Sequence, residues 1–515
     1  MAASTLSSRR RWDSGIPPIL RPLIRAYLFG YGYAVGPRLL TLLLQHAARY
    51  RRRNKRTTTA HEPQTETPTK RHEPFLAAVR RILLVPLDKQ SFPTFCAALI
   101  GGTTIFELSL RSLFERHAGS IPDLVRRRLS RWVASFIAAW MSLRLLQSKQ
   151  TPSFTAVTAA EPGPDGRPQT VEYAGRTLDL TLFAFTRALD VVVGELWHRR
   201  RTRRVAAGQW TALERTISRF ADPAVFALSS GLVMWTWFYH PPRLPAAYNK
   251  WISTAAAVDP RLIEALRRCR DRTLLYGRDT GQASLLGTMC DDYGMPAVWG
   301  DPAVSVPFPC ELVHMGCGPS CEWHALSRFA RSFRWAMTSY LPLSLALAIR
   351  GGGRGSSSSH KSRKAALLAI LRRATVSASR SSAFLAAFIT LFYYGVCLAR
   401  TRIGPHLLGG KKNDPTTTTT TMRQTIDGGV CVGTGCVLCG WSILLEKAGR
   451  RKDMALFVAP RALATLFPRR YAIDKQWRET LAFAASTAVV MTCFAENPRR
   501  VRGMMGGVLG SVFRG

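Results

Sequence analysis

The sequence predicts an all-α, polytopic membrane protein with about ten transmembrane helices in two five-helix repeats. Three observations carry that expectation. The second half repeats the first in collinear blocks. Apolar residues gather in runs of roughly 16–22, close to the ~20 helical residues that cross a bilayer. Lys and Arg crowd the ends of those runs.

The repeat is plainest at two arginines. Leu182-Phe183-Ala184-Phe185-Thr186-Arg187-Ala188-Leu189 shares five of eight positions with Leu456-Phe457-Val458-Ala459-Pro460-Arg461-Ala462-Leu463. Phe95, Ala97, Ala98, Ile100 and Arg111 align at one offset with Phe384, Ala386, Ala387, Ile389 and Arg400. Trp140 aligns with Trp441. Phe226, Ala227, Ser229, Val233 and Met234 align with Phe483, Ala484, Ser486, Val490 and Met491, and after a one-residue gap Phe238, Pro242 and Arg243 meet Phe494, Pro498 and Arg499. Four blocks in one order point to duplication.

The chain has 515 residues, 47% of them hydrophobic, and 72 Lys+Arg against 32 Asp+Glu give a formal charge of +40. Such a balance suits nucleic acid or an anionic membrane surface. The arginines flank apolar runs, as in Arg126-Arg127-Arg128 and Arg199-Arg200-Arg201, so the expected partner is a bilayer with anionic lipids and not nucleic acid. The eleven cysteines are scattered and do not form a small secreted disulfide framework. The Ser- and Arg-rich start is faintly like a mitochondrial presequence, but it is short and Asp13 follows closely.

Spans are expected near 22–44, 92–113, 130–147, 178–197 and 221–239, then near 332–349, 381–400, 428–446, 453–467 and 479–495. The resulting domains are a basic tail (1–19), a first membrane repeat (20–240), a linker with a cysteine-rich motif (241–325) and a second membrane repeat (326–515). Segments 57–69, 152–168, 351–359 and 416–421 read as low-complexity, solvated linkers. Tandem units of five helices must face the membrane oppositely. Loop 199–204 is basic and loop 161–172 nearly neutral, whereas 447–452, the counterpart of the neutral loop, is basic, which favours an inverted pair. Loop 51–56 and Arg469-Arg470 run against that pattern.

The sharpest local motif places Cys310, His314, Cys317 and Cys321 within twelve residues. Three thiols and an imidazole are zinc's usual donors and could surround one ion, but the expected reading is a compact turn and no cofactor. The spacing is not that of a common zinc finger. A disulfide between two of these cysteines, or a compact turn seating the helix at 323–349, reads the same residues. The Cys436-x-x-Cys439 pair sits in a glycine-rich apolar run and reads as a packing face.

Charges at membrane depth are the next candidates, because they are costly unless paired or wetted. Arg187 and Arg461 could contact an anionic lipid or solute, or pair with Asp179, Asp190 or Glu195. Glu107 and Arg111 sit at i, i+4, a spacing that allows an ion pair. Arg111 and Arg400 lie near helix ends, where structural pairing or snorkelling is expected. Small pairs such as Gly32/Gly36, Ala97/Gly101 and Gly429/Gly433 suit close helix packing. No P-loop, nucleophile elbow or spaced carboxylate pair is present, so no catalysis is expected; a metal-dependent enzyme built on the cysteine motif is remote.

Cys310-Glu311-x-x-His314, then Pro319-Ser320-Cys321 leading into an aromatic and basic helix, resembles the cysteine-rich region of the transmembrane protein 135 family. The resemblance extends to Ile24-Arg25-Ala26-Tyr27, Gly30 and Pro37-Arg38-Leu39, and to the block 92–195. It implies a multi-pass protein of peroxisomal or mitochondrial membranes, alongside other organelle membrane proteins, acting in lipid metabolism and organelle dynamics. It brings no catalytic residues. One departure is that the cysteine-rich segment lies mid-chain, not near the amino terminus as in animal members. The alternative function is a transporter or channel for an anionic metabolite or lipid, with Arg187, Arg461, Glu107 and Arg111 on its pathway.

Overall fold

The apolar runs fold as helices, which satisfy their backbone N–H and C=O groups within each segment. A computed structural model of the chain describes residues 13, 15–56, 74–117, 121–162, 168–352, 360–408 and 415–514, and these are mainly helical. The basic tail is outside the described residues apart from 13 and 15–19, as are the low-complexity stretches 57–69 and 353–359.

The chain divides into two compact units, 1–203 with 469–515, and 204–468. The first begins with α1 (Arg21–Arg56), α2 (Phe75–Leu84), α3 (Phe92–His117) and α4 (Asp123–Gln147), then a hairpin of β1 (Thr155–Pro162) and β2 (Pro168–Ala174), then α5 (Leu178–Ala206). The second runs from α6 (Ala212–Tyr239) through the short α7 (Ala246–Ala256), α8 (Pro260–Arg270), α9 (Ala283–Asp292) and α10 (Cys310–His314). It continues with α11 (Cys321–Gly352), α12 (His360–Leu398), α13 (Gly404–Leu408), α14 (Pro415–Thr425), α15 (Cys431–Cys439) and α16 (Ala448–Ala464). The chain then returns to the first unit with β3 (Tyr471–Ala472), α17 (Gln476–Glu496) and α18 (Gly503–Phe513).

Two expected linkers are structured. Residues 155–162 and 168–174 pair antiparallel, and β2 also pairs with β3, so a small sheet joins an otherwise helical unit. The threonine run 416–421 is helical within α14, where the flanking Ile426 and Asp427 are buried and anchor its end. Among the described residues three helical runs are long and apolar enough to cross a membrane: Phe75–His117, Leu367–Leu408 and Thr419–Leu445. Ten are expected from sequence. The remaining seven are helical but fall short in apolarity or length; α5 carries Asp179, Arg187, Asp190 and Glu195, and α16 has 17 residues.

In the first unit α1 packs on α3, α3 on α4, and α4 on α17. Phe95 of α3 meets Phe483 of α17 with ring centroids 5.9 Å apart, and both rings are buried. A further core joins Val191 of α5, Val490 and Phe494 of α17 and Val512 of α18. The carboxylate of Glu479 is buried but satisfied, since the Thr177 and Tyr471 hydroxyls both donate to it.

In the second unit α11 packs on α12, α12 on α15, α15 on α6, and α16 on α6. Phe226 of α6 meets Phe384 of α12 at 5.8 Å. A capping box starts α6: the Thr211 hydroxyl accepts from the Glu214 N–H, and the Glu214 carboxylate accepts from the Thr211 N–H. Glycines let its helices touch by their backbones. A Cβ on Gly440 would stand 2.4 Å from the Ala227 Cα, and one on Gly435 would stand 2.7 Å from the Phe392 carbonyl oxygen. The repeat boundaries drawn from sequence therefore differ from the packing: α6 closes the second unit, and α17 closes the first.

Candidate metal centre

The cysteine-rich linker folds back on itself before reaching α12. Pro309 precedes α10, whose single turn puts Cys310 and His314 on one face. Met315, Gly316 and Gly318 then take positive φ values of 52°, 75° and 92°, which reverse the chain and start α11 at Cys321. Helix α12 delivers Cys397 near its C-terminal end.

The Sγ atoms of Cys310, Cys321 and Cys397 and one ring nitrogen of His314 all lie within 4.8 Å of one another. Cys310 Sγ is 3.7 Å from Cys321 Sγ, and Cys397 Sγ is 3.5 Å from His314 Nε2. A tetrahedral zinc with Zn–S of about 2.3 Å and Zn–N of about 2.0 Å sets edges of roughly 3.8 Å for S···S and 3.5 Å for S···N. The two distances fit those edges. The donor set is thiolate and imidazole, which favours zinc over hard, oxygen-seeking cations.

His314 is oriented for ligation. Its Nδ1–H donates to the Gly318 carbonyl at 2.7 Å, which leaves Nε2 facing the thiols. The ring is 1% exposed. A hydrogen bond from Cys397, helped by His314 and the Arg400 charge, outweighs burial and holds the Cys310 thiol down at about 4. Burial opposes the charged form of His314, but the Cys310 partner and the Gly318 carbonyl raise its pKa. A metal bound here would take the place of the Nε2 proton.

The surroundings are closed and polar. His324 stacks on His314 at 4.6 Å and meets Tyr393 edge-on at 5.7 Å. Burial, with His314, Arg328 and Arg331 nearby, pushes His324 down to about 3, so its ring is neutral. Neither of its nitrogens has a hydrogen-bond partner among the described residues. Arg328 donates to the Ala256 and Ala257 carbonyls at 3.2 Å and lies 4.3 Å over Tyr393. Behind Cys397, Arg400 grips Asp427 at 2.6 and 2.9 Å and donates to the Phe308 carbonyl at 2.9 Å. The Tyr276 hydroxyl completes the Asp427 shell.

Three of the four residues singled out by spacing thus converge, and Cys317 does not. Its Sγ lies 3.3 Å from the Ser327 hydroxyl and 3.1 Å from Arg331 Nη2, because the Gly316–Gly318 reversal turns it outward. Cys397 takes the fourth place. No local spacing could reveal it, since it sits in an apolar run of another helix. Cys310 and Cys321 are free thiols, as are Cys431, Cys436 and Cys439, which are buried as a packing face.

The charged candidates scatter. Glu107 pairs with Arg131 of α4 at 2.5 Å, not with Arg111, since it turns toward the neighbouring helix. Arg111 pairs with Glu115 at 3.0 Å on the surface. Arg187 is 5% exposed, lies 5.1 Å over Phe183 and reaches the Arg502 carbonyl at 3.5 Å. Its expected partners bond elsewhere: Asp179 with Arg469, Asp190 with Arg502, and Glu195 with Arg199 and Arg500. Arg461 is half-buried, 3.7 Å over Phe457, and donates to the Phe457 carbonyl at 2.6 Å.

No protein-family model matches the chain, and no curated protein or solved structure matches it.

Proposed function

We propose that the chain is a multi-pass, non-catalytic organelle membrane protein whose second unit is held together by one zinc ion. Cys310, His314, Cys321 and Cys397 bind it, and the ion ties the linker to α12. The single observation carrying this reading is the meeting of those four donors within 4.8 Å of one another, with the Cys310–Cys321 and Cys397–His314 distances at tetrahedral edge length. The donors fill all four positions of such a site, leaving none for a reacting water; that is the pattern of a structural metal, not a catalytic one.

Three apolar helices of membrane-crossing length support the membrane setting. The wider count of ten is proposed from the repeat. Two facts favour the duplication. The ring pairs Phe95–Phe483 and Phe384–Phe226 join repeat-equivalent residues at 5.9 and 5.8 Å. The guanidinium of Arg187 covers Phe183 as that of Arg461 covers Phe457. The peroxisomal or mitochondrial setting and the role in lipid metabolism rest on the resemblance to the transmembrane protein 135 family, and imaging a tagged copy tests them.

The metal reading is tested by elemental analysis of the detergent-purified chain. Wild type and Cys317→Ser should each carry about one zinc per chain, and Cys397→Ser and Cys310→Ser should carry none. Zinc retained by Cys397→Ser, or lost from Cys317→Ser alone, contradicts it.

A further inference from the structure

The second unit holds an apolar cavity of about 450 Å³, within the roughly 300–1,000 Å³ of small-molecule sites. Its wall is built from α6, α7, α11, α12 and α16, with Phe226, Val233, Met234, Ile252, Phe388 and Val458 among the lining side chains. None of the lining side chains is charged. The space is a cleft open on one side, with Trp251 and Phe457 of its lining exposed.

Among the described residues two cations border it: Arg328, over Tyr393, donates to the Ala256 and Ala257 carbonyls, and Arg461 stands at two other rings, Phe457 and Tyr248. Phe457 and Tyr248 both line the cavity, and the Arg461 guanidinium lies 3.7 Å from the first ring and 5.8 Å from the second. Arg461 spends a hydrogen on the Phe457 carbonyl and makes no ion pair among the described residues. A guanidinium has five N–H donors in a planar fork, which matches the two oxygens of a carboxylate. The repeat-equivalent Arg187 is buried and reaches the Arg502 carbonyl instead.

We infer that this cavity binds a single-chain anionic amphiphile of the long-chain fatty-acid class, with its tail among the α6, α12 and α16 side chains and its carboxylate on Arg461. A neutral chain would fill the apolar space but leave Arg461 uncovered. None of the four thiol and imidazole donors lines the cavity, and the site does not require a metal.

The test uses the full chain in nanodiscs of phosphatidylcholine, titrated with radiolabelled oleate. One oleate should bind per chain, and oleyl alcohol should bind at least about tenfold more weakly, the share of one charge-assisted contact. Arg461→Gln should erase that preference, Arg461→Lys should restore part of it, and Arg187→Gln should leave it intact. Met234→Trp, which fills the cavity, should lower binding of both ligands. Equal binding of oleate and oleyl alcohol to wild type overturns the proposal. So does an Arg461→Gln variant that keeps the preference, or an excess of phosphatidylglycerol that displaces oleate as well as unlabelled oleate does. Zinc content measured on the same preparations stays unchanged by Arg461→Gln, so this inference and the metal reading can fail separately.

Discussion

The two units place repeat-equivalent arginines in opposite surroundings. In the first unit Arg187 is buried and Arg111 is 46% exposed on its side chain. In the second Arg461 is half-buried at a cavity, and Arg400 is 4% exposed against an Asp427 that is 1% exposed. The local sequence is alike; the context is not. The linker supplies the difference, because Phe308 and Tyr276 come from it and enclose the Arg400–Asp427 pair. Alike local sequence thus goes with alike helix and aromatic stacking, while the 241–325 segment decides which charge becomes interior.

That contrast yields a pair of stability predictions. Asp427→Ala strands a buried guanidinium and should cost about 3–5 kcal/mol, seen as a large fall in melting temperature in detergent. Glu115→Ala, which breaks the equivalent arginine's surface pair, should change stability by less than about 1 kcal/mol. Similar losses for both would remove the distinction between the units.

The glycines sharpen it at smaller size. Gly440→Ala and Gly435→Ala drive a methyl group into backbone of a neighbouring helix and should each cost about 1–3 kcal/mol. Gly36→Ala, in the first unit, meets nothing within 4 Å and should be neutral or stabilising by up to about 1 kcal/mol. The glycine spacing in α1 resembles that of a close-packed pair, but its surroundings do not; spacing alone does not say whether a neighbour is there.

The sequence made the helices legible because apolar periodicity and flanking charge act locally. It left the 155–174 hairpin illegible, since Pro- and Gly-rich composition masked two short strands whose pairing is set by contacts with each other and with Tyr471-Ala472. The exchange of α6 and α17 between units was hidden for a similar reason. Both helices bury the same side chains, Phe226 and Val233 in one and Phe483 and Val490 in the other, so pattern cannot assign either to its partner. At the candidate metal centre, spacing found Cys310, His314 and Cys321. It admitted Cys317, which only the positive φ values at 315–318 turn away, and it passed over Cys397, whose apolar neighbours made it read as core.

The central claim is a metal centre closed by a residue from a distant helix, and zinc K-edge absorption on the purified chain tests it most directly. The expected first shell is three sulfurs at about 2.3 Å and one nitrogen at about 2.0 Å, with the zinc gone in Cys397→Ser. A shell of oxygen and nitrogen, or three sulfurs that survive the loss of Cys397, would contradict the account.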